Sequence, residues 1–316
     1  MRPFRFIVGT RGIVDRQNLV ERVRVAESIG YDAISIHDHL SPQLAPIATL
    51  TAVAMATERV RLCPLVLNND LRHPVVLAQE LATLDRLSDG RLIVGIGAGW
   101  REPEYEASGI AFDRAGVRID RLEEAIAILR GAFGDAPFSL AGRHYRITDL
   151  DGQPKPSQRP HPPFLIGGTR ERVLRLAARE ADIVGLDIRQ DRDALPDAFP
   201  AGTDRRVGWI RDEAGDRFDG LDLSVLRVLG PLAVTDRPLA IARDLATTLG
   251  GQTGLTIAPE DLLESPFSLI GSVSGLVDKL RGMRERWGIN SMLAGWFDEE
   301  ATLGAFAPVV EQLAGG

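Results

Sequence analysis

The sequence is poor in several things, and each shortage excludes something. A single cysteine, Cys63, rules out an intramolecular disulfide and a thiolate metal cluster. That suits a reducing compartment, and the cytoplasm is the expected location. Lys155 and Lys279 are the only lysines, and with heavy arginine and alanine usage this points to a high-GC genome. Basic residues form no run and the formal net charge is −7, so no nucleic-acid partner is expected. Apolar runs stop at strand length, so no membrane span is expected. Met1-Arg2-Pro3-Phe4 leads straight into a strand-like run, with no leader pattern.

What is present is 316 residues, 44% hydrophobic, enough for a sizeable core. Apolar runs alternate with helix-period runs. Strands are expected at Phe4–Gly9, Asp32–His37, Val60–Leu67, Arg91–Ile96, Pro163–Ile166, Asp182–Leu186, Leu223–Leu229 and Ile289–Trp296. Helices follow nearly every one. Pro74 stands where one begins, and Ile119, Leu122, Ile126, Leu129 and Phe133 mark the buried side of another. The last runs over Ala301–Leu313, and a further helix is expected near Arg205–Phe218. This order predicts one α/β domain over 1–316, a (β/α)8 TIM barrel. It carries a hairpin insertion near 138–147 and irregular insertions near 187–221 and 250–272. A doubly wound sheet would need a phosphate fingerprint on the first strand–helix turn, and Gly9-Thr10-Arg11-Gly12 does not supply it.

Chemistry is expected at the carboxyl ends of the strands. The second strand ends in His37-Asp38-His39, two imidazoles around a carboxylate. The bland reading is a strand-end histidine bonded to backbone; the functional one is a proton donor or acceptor near neutral pH. A metal pair lacks a third ligand of suitable spacing. Gly95-Ile96-Gly97-Ala98-Gly99-Trp100 ends the fourth strand, and Trp100 occupies the place of a dinucleotide loop's third glycine. Its glycines either allow a sharp turn or let a flat cofactor approach the backbone. Asn68 and Asn69 carry amides that can read a heterocycle edge, or are ordinary loop residues. Gly167-Gly168-Thr169-Arg170 joins a strand to a helix, with Thr169 as the expected N-cap. Arg170 and Arg172 put positive charge in a first turn that normally favours acidic residues, which suits an anion such as phosphate.

Together these residues carry a resemblance. Asp38-His39, Leu67-Asn-Asn-Asp-Leu-Arg-His-Pro74, Ala82-Thr-Leu-Asp-Arg-Leu-Ser-Asp-Gly-Arg91, Gly95-x-Gly-Ala-Gly-Trp100 and Phe164-Leu-Ile-Gly-Gly168 stand in the order seen in the luciferase-like flavin/deazaflavin oxidoreductase superfamily. The chain resembles its coenzyme F420-dependent branch most. The resemblance implies a luciferase-like (β/α)8 barrel with the ring of the cofactor over the strand ends. It implies a non-prolyl cis peptide near Leu65-Val66 backing that ring. It implies that Ala98, Gly99, Gly167, Gly168 and Thr169 surround the cofactor phosphate. Asn68, Trp100 and Arg170 complete the cofactor-binding candidates. His39 falls on the position of an active-site proton group, with Asp38 beside it as the second catalytic candidate. No metal is implied.

The expected activity is hydride transfer between F420 and a small organic substrate, reducing a C=C or C=N bond. The alternative is an FMN-dependent monooxygenase that uses O2. The resemblance also implies a homodimer. Relatives that oxidise sugar phosphates carry a glutamate where Trp100 stands, and their lysine and arginine cluster cannot be placed, so glucose-6-phosphate is a poor substrate expectation.

Overall fold

The computed structural model describes residues 2–10, 15–296 and 300–313. In chain order its strands are β1 (Arg5–Thr10), β2 (Ala33–Ile36), β3 (Arg61–Pro64), β4 (Leu67–Asn68), β5 (Val94–Gly97), β6 (Phe138–Ala141), β7 (Arg146–Leu150), β8 (Phe164–Gly168), β9 (Ile183–Leu186), β10 (Asp222–Val225), β11 (Ala233–Val234), β12 (Ile270–Gly271) and β13 (Ile289–Trp296). Helices separate the parallel strands, the element order of a (β/α)8 barrel. No helix among the described residues is long and apolar enough to cross a membrane. The residues group into two compact units. The first is Met1–Gly9, Val25–Ala33 and Gly167–Gly316; the second is Thr10–Arg24 and Ile34–Ile166.

In the first unit β1 pairs in parallel with β13, with Phe6 facing Met292 and Ile7 facing Leu293. β13 pairs with β10, and β10 with β9. β11 and β12 form a small parallel pair of their own. The expected irregular stretch over 250–272 is therefore partly ordered, by β12, the end of helix Pro238–Thr253 and the short helix Pro259–Glu264. The helix expected near Arg205–Phe218 starts earlier, at Pro200, and ends at Ala214. Pro200 pre-sets the first turn, and Gly215 takes a φ of +53° that stops it. The seventh strand stops at Val225 rather than Leu229, because Leu229 N–H turns to the carbonyl of Phe267 instead of a strand neighbour.

In the second unit β5 is the centre. It pairs with β4 through Leu67 and Ile96, and with β8 through Val94 and Phe164. A parallel bridge between Leu62 and Leu92 ties β3 to the same ladder. β3 and β4 are the two halves of the expected third strand, interrupted at a cis Leu65–Val66 peptide. Leu65 N–H donates to Ile36 O at 2.9 Å, so the interruption stays tied to β2. A Cβ on Gly95 would lie 1.9 Å from Pro64 O, so this glycine is set by the close approach of two strands. The hairpin is present, with β6 and β7 antiparallel.

The segment Ala82–Arg91 turns out to be a lock rather than a chemical motif. Buried Asp85 accepts from Ser157 N (2.7 Å), Gln158 N (2.9 Å) and Gln158 Nε2 (2.7 Å), which pins the proline-rich loop. Arg91 donates to the carbonyls of Ala54, Val60 and Ser88 at 2.7–3.0 Å. Asp89 and Gly90 both take positive φ, which turns the chain after the helix Pro74–Leu87.

One buried cation of the first unit gives a pH dependence. Lys279 Nζ donates to the carbonyls of Leu263 (2.7 Å) and Ser268 (2.6 Å). Burial pulls its ammonium down to about 7, while Glu264 favours the charged form. Between pH 7 and about 10.5 the unfolded chain binds a proton that the folded chain has released, so stability rises with pH across that window. Urea midpoints measured at pH 7, 8 and 9 should climb more steeply in the wild type than in Lys279→Met. Parallel curves would show that Lys279 does not titrate there.

Candidate active site at the strand ends

β2 ends at Ile36, so His37, Asp38 and His39 belong to the loop that follows. His37 Nδ1–H donates to Leu65 O at 2.6 Å, the ordinary backbone role of a strand-end histidine. His39 has a different partner. Its Nδ1 lies 3.0 Å from Glu104 Oε2, and Glu104 Oε1 accepts from Arg101 Nη1, also at 3.0 Å. A carboxylate only accepts, so His39 carries its hydrogen on Nδ1 and Nε2 is the basic nitrogen. The Trp100 indole stands edge-on to the same imidazole, 5.8 Å between centroids, and is 54% exposed.

Asp38 is buried and fully engaged. Oδ2 accepts from Asn68 N (2.9 Å) and Arg72 Nη1 (2.6 Å), and Oδ1 from Arg72 Nη2 (3.2 Å). The bidentate fork and the amide meet its charge, so Asp38 clamps the start of the loop after β4. Asn68 continues the network. Its Oδ1 accepts from Asp70 N at 3.1 Å and lies 3.0 Å from the Tyr105 hydroxyl. That hydroxyl also lies 3.1 Å from Asp70 Oδ2, and Asp70 is held bidentately by Arg121 at 2.8–2.9 Å. Burial, helped by the Asp70 charge, pushes the Tyr105 phenol up to about 12, so it stays a neutral donor at physiological pH.

Gly99 closes this arrangement. Its φ is +73°, and a Cβ would lie 1.9 Å from Tyr105 Oη and 2.5 Å from Asn68 Oδ1. Packing and turn geometry thus require glycine at position 99. Glu104, Tyr105 and Arg72 were not singled out from the sequence. Glu104 and Tyr105 lie on the short helix Glu102–Ser108, opened by Pro103, just after Trp100. The carboxylate lacking at position 100 is supplied from one helical turn further on. Among the described residues no cluster of three His, Cys, Asp or Glu side chains is placed to hold a metal.

The glycine turn after β8 lies in the first unit. Helix Glu171–Glu180 begins one residue later than expected, so Arg170 and not Thr169 occupies the cap position, without a side-chain capping bond. The first turn does contain an acid, Glu171, paired with Arg175 at 2.9 Å. Arg170 Nη1 reaches Asp197 Oδ2 at 3.6 Å. A Cβ on Gly168 would lie 2.2 Å from Val173 Cγ1, so the turn itself needs glycine.

The Asp38 clamp has a measurable consequence. Arg72→Met leaves a buried carboxylate with one amide donor, a loss of about 3–5 kcal/mol by the usual cost of breaking a buried pair. Urea unfolding of the variant should show a midpoint well below the wild type. A change under about 0.5 kcal/mol, typical of a surface site, would mean that the pair carries no structural weight.

Residues 3–201 match the family model of luciferase-like monooxygenases. Among curated relatives, the FMNH2-dependent dimethylsulfone monooxygenase of Pseudomonas putida is 33% identical over 153 residues, 48% of this chain and 40% of that protein. The F420-dependent glucose-6-phosphate dehydrogenase of Intrasporangium calvum is 30% identical over 241 residues, 69% of this chain and 72% of that protein. The first two curated relatives are matched over only 40% and 52% of their own length, about half. Among solved structures, the coenzyme F420-dependent tetrahydromethanopterin reductase of Methanopyrus kandleri superposes with a TM-score of 0.78 at 19% identity, over 99% of this chain and 100% of that one. That likeness is one of fold, the (β/α)8 barrel that the strand order announces. With the family model spanning both Asp38-His39 and the glycine turn after β8, the chain belongs to the luciferase-like monooxygenase family.

Proposed function

We propose that the protein is an F420-dependent oxidoreductase that moves a hydride between the deazaflavin and a small organic substrate, reducing a C=C or C=N bond. The observation that carries this reading is the His39–Glu104 pair at 3.0 Å, at the strand ends of the second unit. It leaves one imidazole nitrogen, Nε2, free for a reacting atom, oriented by a buried carboxylate behind it.

The residues present fit a flat ring with a polar edge. Leu65 and Val66 offer peptide groups at the break between β3 and β4, and Asn68 faces Gly97 across the ladder. Trp100 adds a wall beside His39. These are the residues that would hold the ring. Ala98 and Gly99, in the same unit, would face the phosphate with bare backbone. When bound, F420 supplies the electron pair of a hydride at one ring carbon. In that reduction His39, protonated at Nε2, would donate the proton that accompanies the hydride. Glu104 keeps the imidazole in one tautomer and balances its charge when it is protonated. Trp100 limits water at the same nitrogen. Asp38 acts at one remove, by fixing the backbone of Asn68.

The F420-dependent relatives support this reading. Their sugar phosphate is not carried over, because Trp100 stands after the glycines and the chain has only two lysines. The Pseudomonas putida relative favours a second reading, an FMN-dependent monooxygenase using O2.

Titration of the purified protein with F420 and with FMN, followed by tryptophan fluorescence, separates the two. Micromolar binding of F420 with much weaker FMN binding is expected. His39→Asn should keep that affinity and lose about 10²–10⁴-fold in turnover, the usual weight of a general acid–base. Preference for FMN with O2 consumption would move the assignment to the monooxygenase, and binding of neither would remove the cofactor reading.

A further inference from the structure

We infer that the second unit holds a further small-molecule site, between the loop after β4 and the tip of the β6–β7 hairpin, built for a planar neutral ring that carries an amide edge. A cavity of about 350 Å³ opens there, and its lining includes Asn69, Arg72, His73, Ile110, Arg121 and Tyr145. That is the small end of the range for ligand pockets, about 300–1,000 Å³. Neither His39 nor any residue assigned above to the cofactor ring lines it. All of its lining residues fall within the second unit.

Asn69 states what the cavity needs. It is fully buried at the floor, and its Oδ1 has no hydrogen-bond partner among the described residues. Its Nδ2 donates to Tyr145 Oη at 3.4 Å. Turning the amide over would meet the oxygen and leave the nitrogen unmatched, so one end is unmet in either orientation. One water, about 30 Å³, would meet that end and leave most of the cavity. Tyr145 accepts from Asn69 and keeps its own hydrogen to give; burial pushes its phenol up, so the hydroxyl stays protonated. The charges on the lining are already met. Arg121 forks to Asp70 at 2.8–2.9 Å and also donates to Asp113, and Arg72 forks to Asp38. The cavity therefore asks for no anion. His73 and Tyr145 meet edge to face with centroids 5.5 Å apart, and with Ile110 they offer apolar surface to a flat ring. The wall is built without a ligand, because Glu124 accepts from the N–H groups of Arg143, His144 and Tyr145 at 2.7–3.3 Å and so fixes the hairpin tip. An amide edge sets a donor beside an acceptor, which is the complement of an asparagine side chain.

Nicotinamide is the probe, one neutral aromatic ring with one primary amide. Two analogues test the edge: N,N-dimethylnicotinamide lacks the donor hydrogens, and nicotinate replaces the amide with a charge. Binding to the full chain is followed by ligand-observed saturation-transfer NMR. Nicotinamide should bind with a Kd of about 1 mM or below, and both analogues about 5–10-fold more weakly, the weight of a hydrogen bond. Asn69→Leu should fold with a Tm within about 3 °C of the wild type, because an unmet polar group has been replaced by an apolar one, and should bind nicotinamide about 10-fold more weakly. Tyr145→Phe keeps the ring and loses the hydroxyl, and should weaken binding about 2–10-fold.

Retention of nicotinamide by protein loaded with F420 or FMN supports a separate site, whereas its displacement overturns one, because the cavity then belongs to the cofactor ring. No binding at about 10 mM nicotinamide also overturns the inference. Equal binding of all three molecules does so too, since the amide edge is then not read. So does an Asn69→Leu protein that is several degrees less stable yet binds nicotinamide as the wild type does, because Asn69 is then only a structural group. Binding is read without turnover and without cofactor, so this inference and the hydride-transfer assignment fail separately.

Discussion

A buried carboxylate has to be met by donors, and in the second unit that demand originates at Asp38. Its oxygens take the fork of Arg72 and the amide of Asn68. With Asn68 N fixed, its side-chain oxygen is aimed at Asp70 N and the Tyr105 hydroxyl. Asp70 is fixed in turn by Arg121. Tyr105 sits next to Glu104 on one short helix, so the network that satisfies Asp38 also delivers the carboxylate that orients His39. An apolar strand end could pack as tightly, but would leave the direction of each loop weakly specified. Paired ions cost desolvation and return geometry, since a fork fits a carboxylate in few orientations.

The scarcity of lysine acquires meaning here. Arg72, Arg91 and Arg121 each make several directed bonds, which a single ammonium on a flexible stem would make less well. The one lysine buried in the first unit, Lys279, meets only carbonyls, and burial pulls its charge down accordingly. Arg206 is the exception among the buried arginines, with its whole fork unmet.

Much of the fold was legible because strand and helix periods differ and the punctuation is strong. Pro74 marks a boundary that the structure keeps. Ile289–Trp296 has the expected ends. The places that misled are those where one residue's backbone decides. Val60–Leu67 is a single apolar run in sequence, yet a cis peptide divides it, and only the family resemblance anticipated that break. Thr169 has the chemistry of a cap but stands one residue too early. His39 and Asp38 could be picked out because polar groups at a strand end are conspicuous. Glu104 could not, because an acid in the first turn of a helix is where acids ordinarily belong. Arg72 was hidden for a similar reason: an arginine in a loop reads as solvated until the buried carboxylate it serves is known.

The bare backbone of Gly99 and the His39 imidazole are kept separate by the same geometry. Gly99 has no room for a side chain, because Tyr105 and Asn68 occupy it. A carboxylate placed directly after it would compete for that crowded turn, whereas Glu104 approaches His39 from the next helical turn with Arg101 behind it. Trp100, freed from a polar role, can then stand against the imidazole as a wall. An acid bound at Nδ1, with an indole edge-on to the ring, leaves Nε2 as the basic nitrogen of His39.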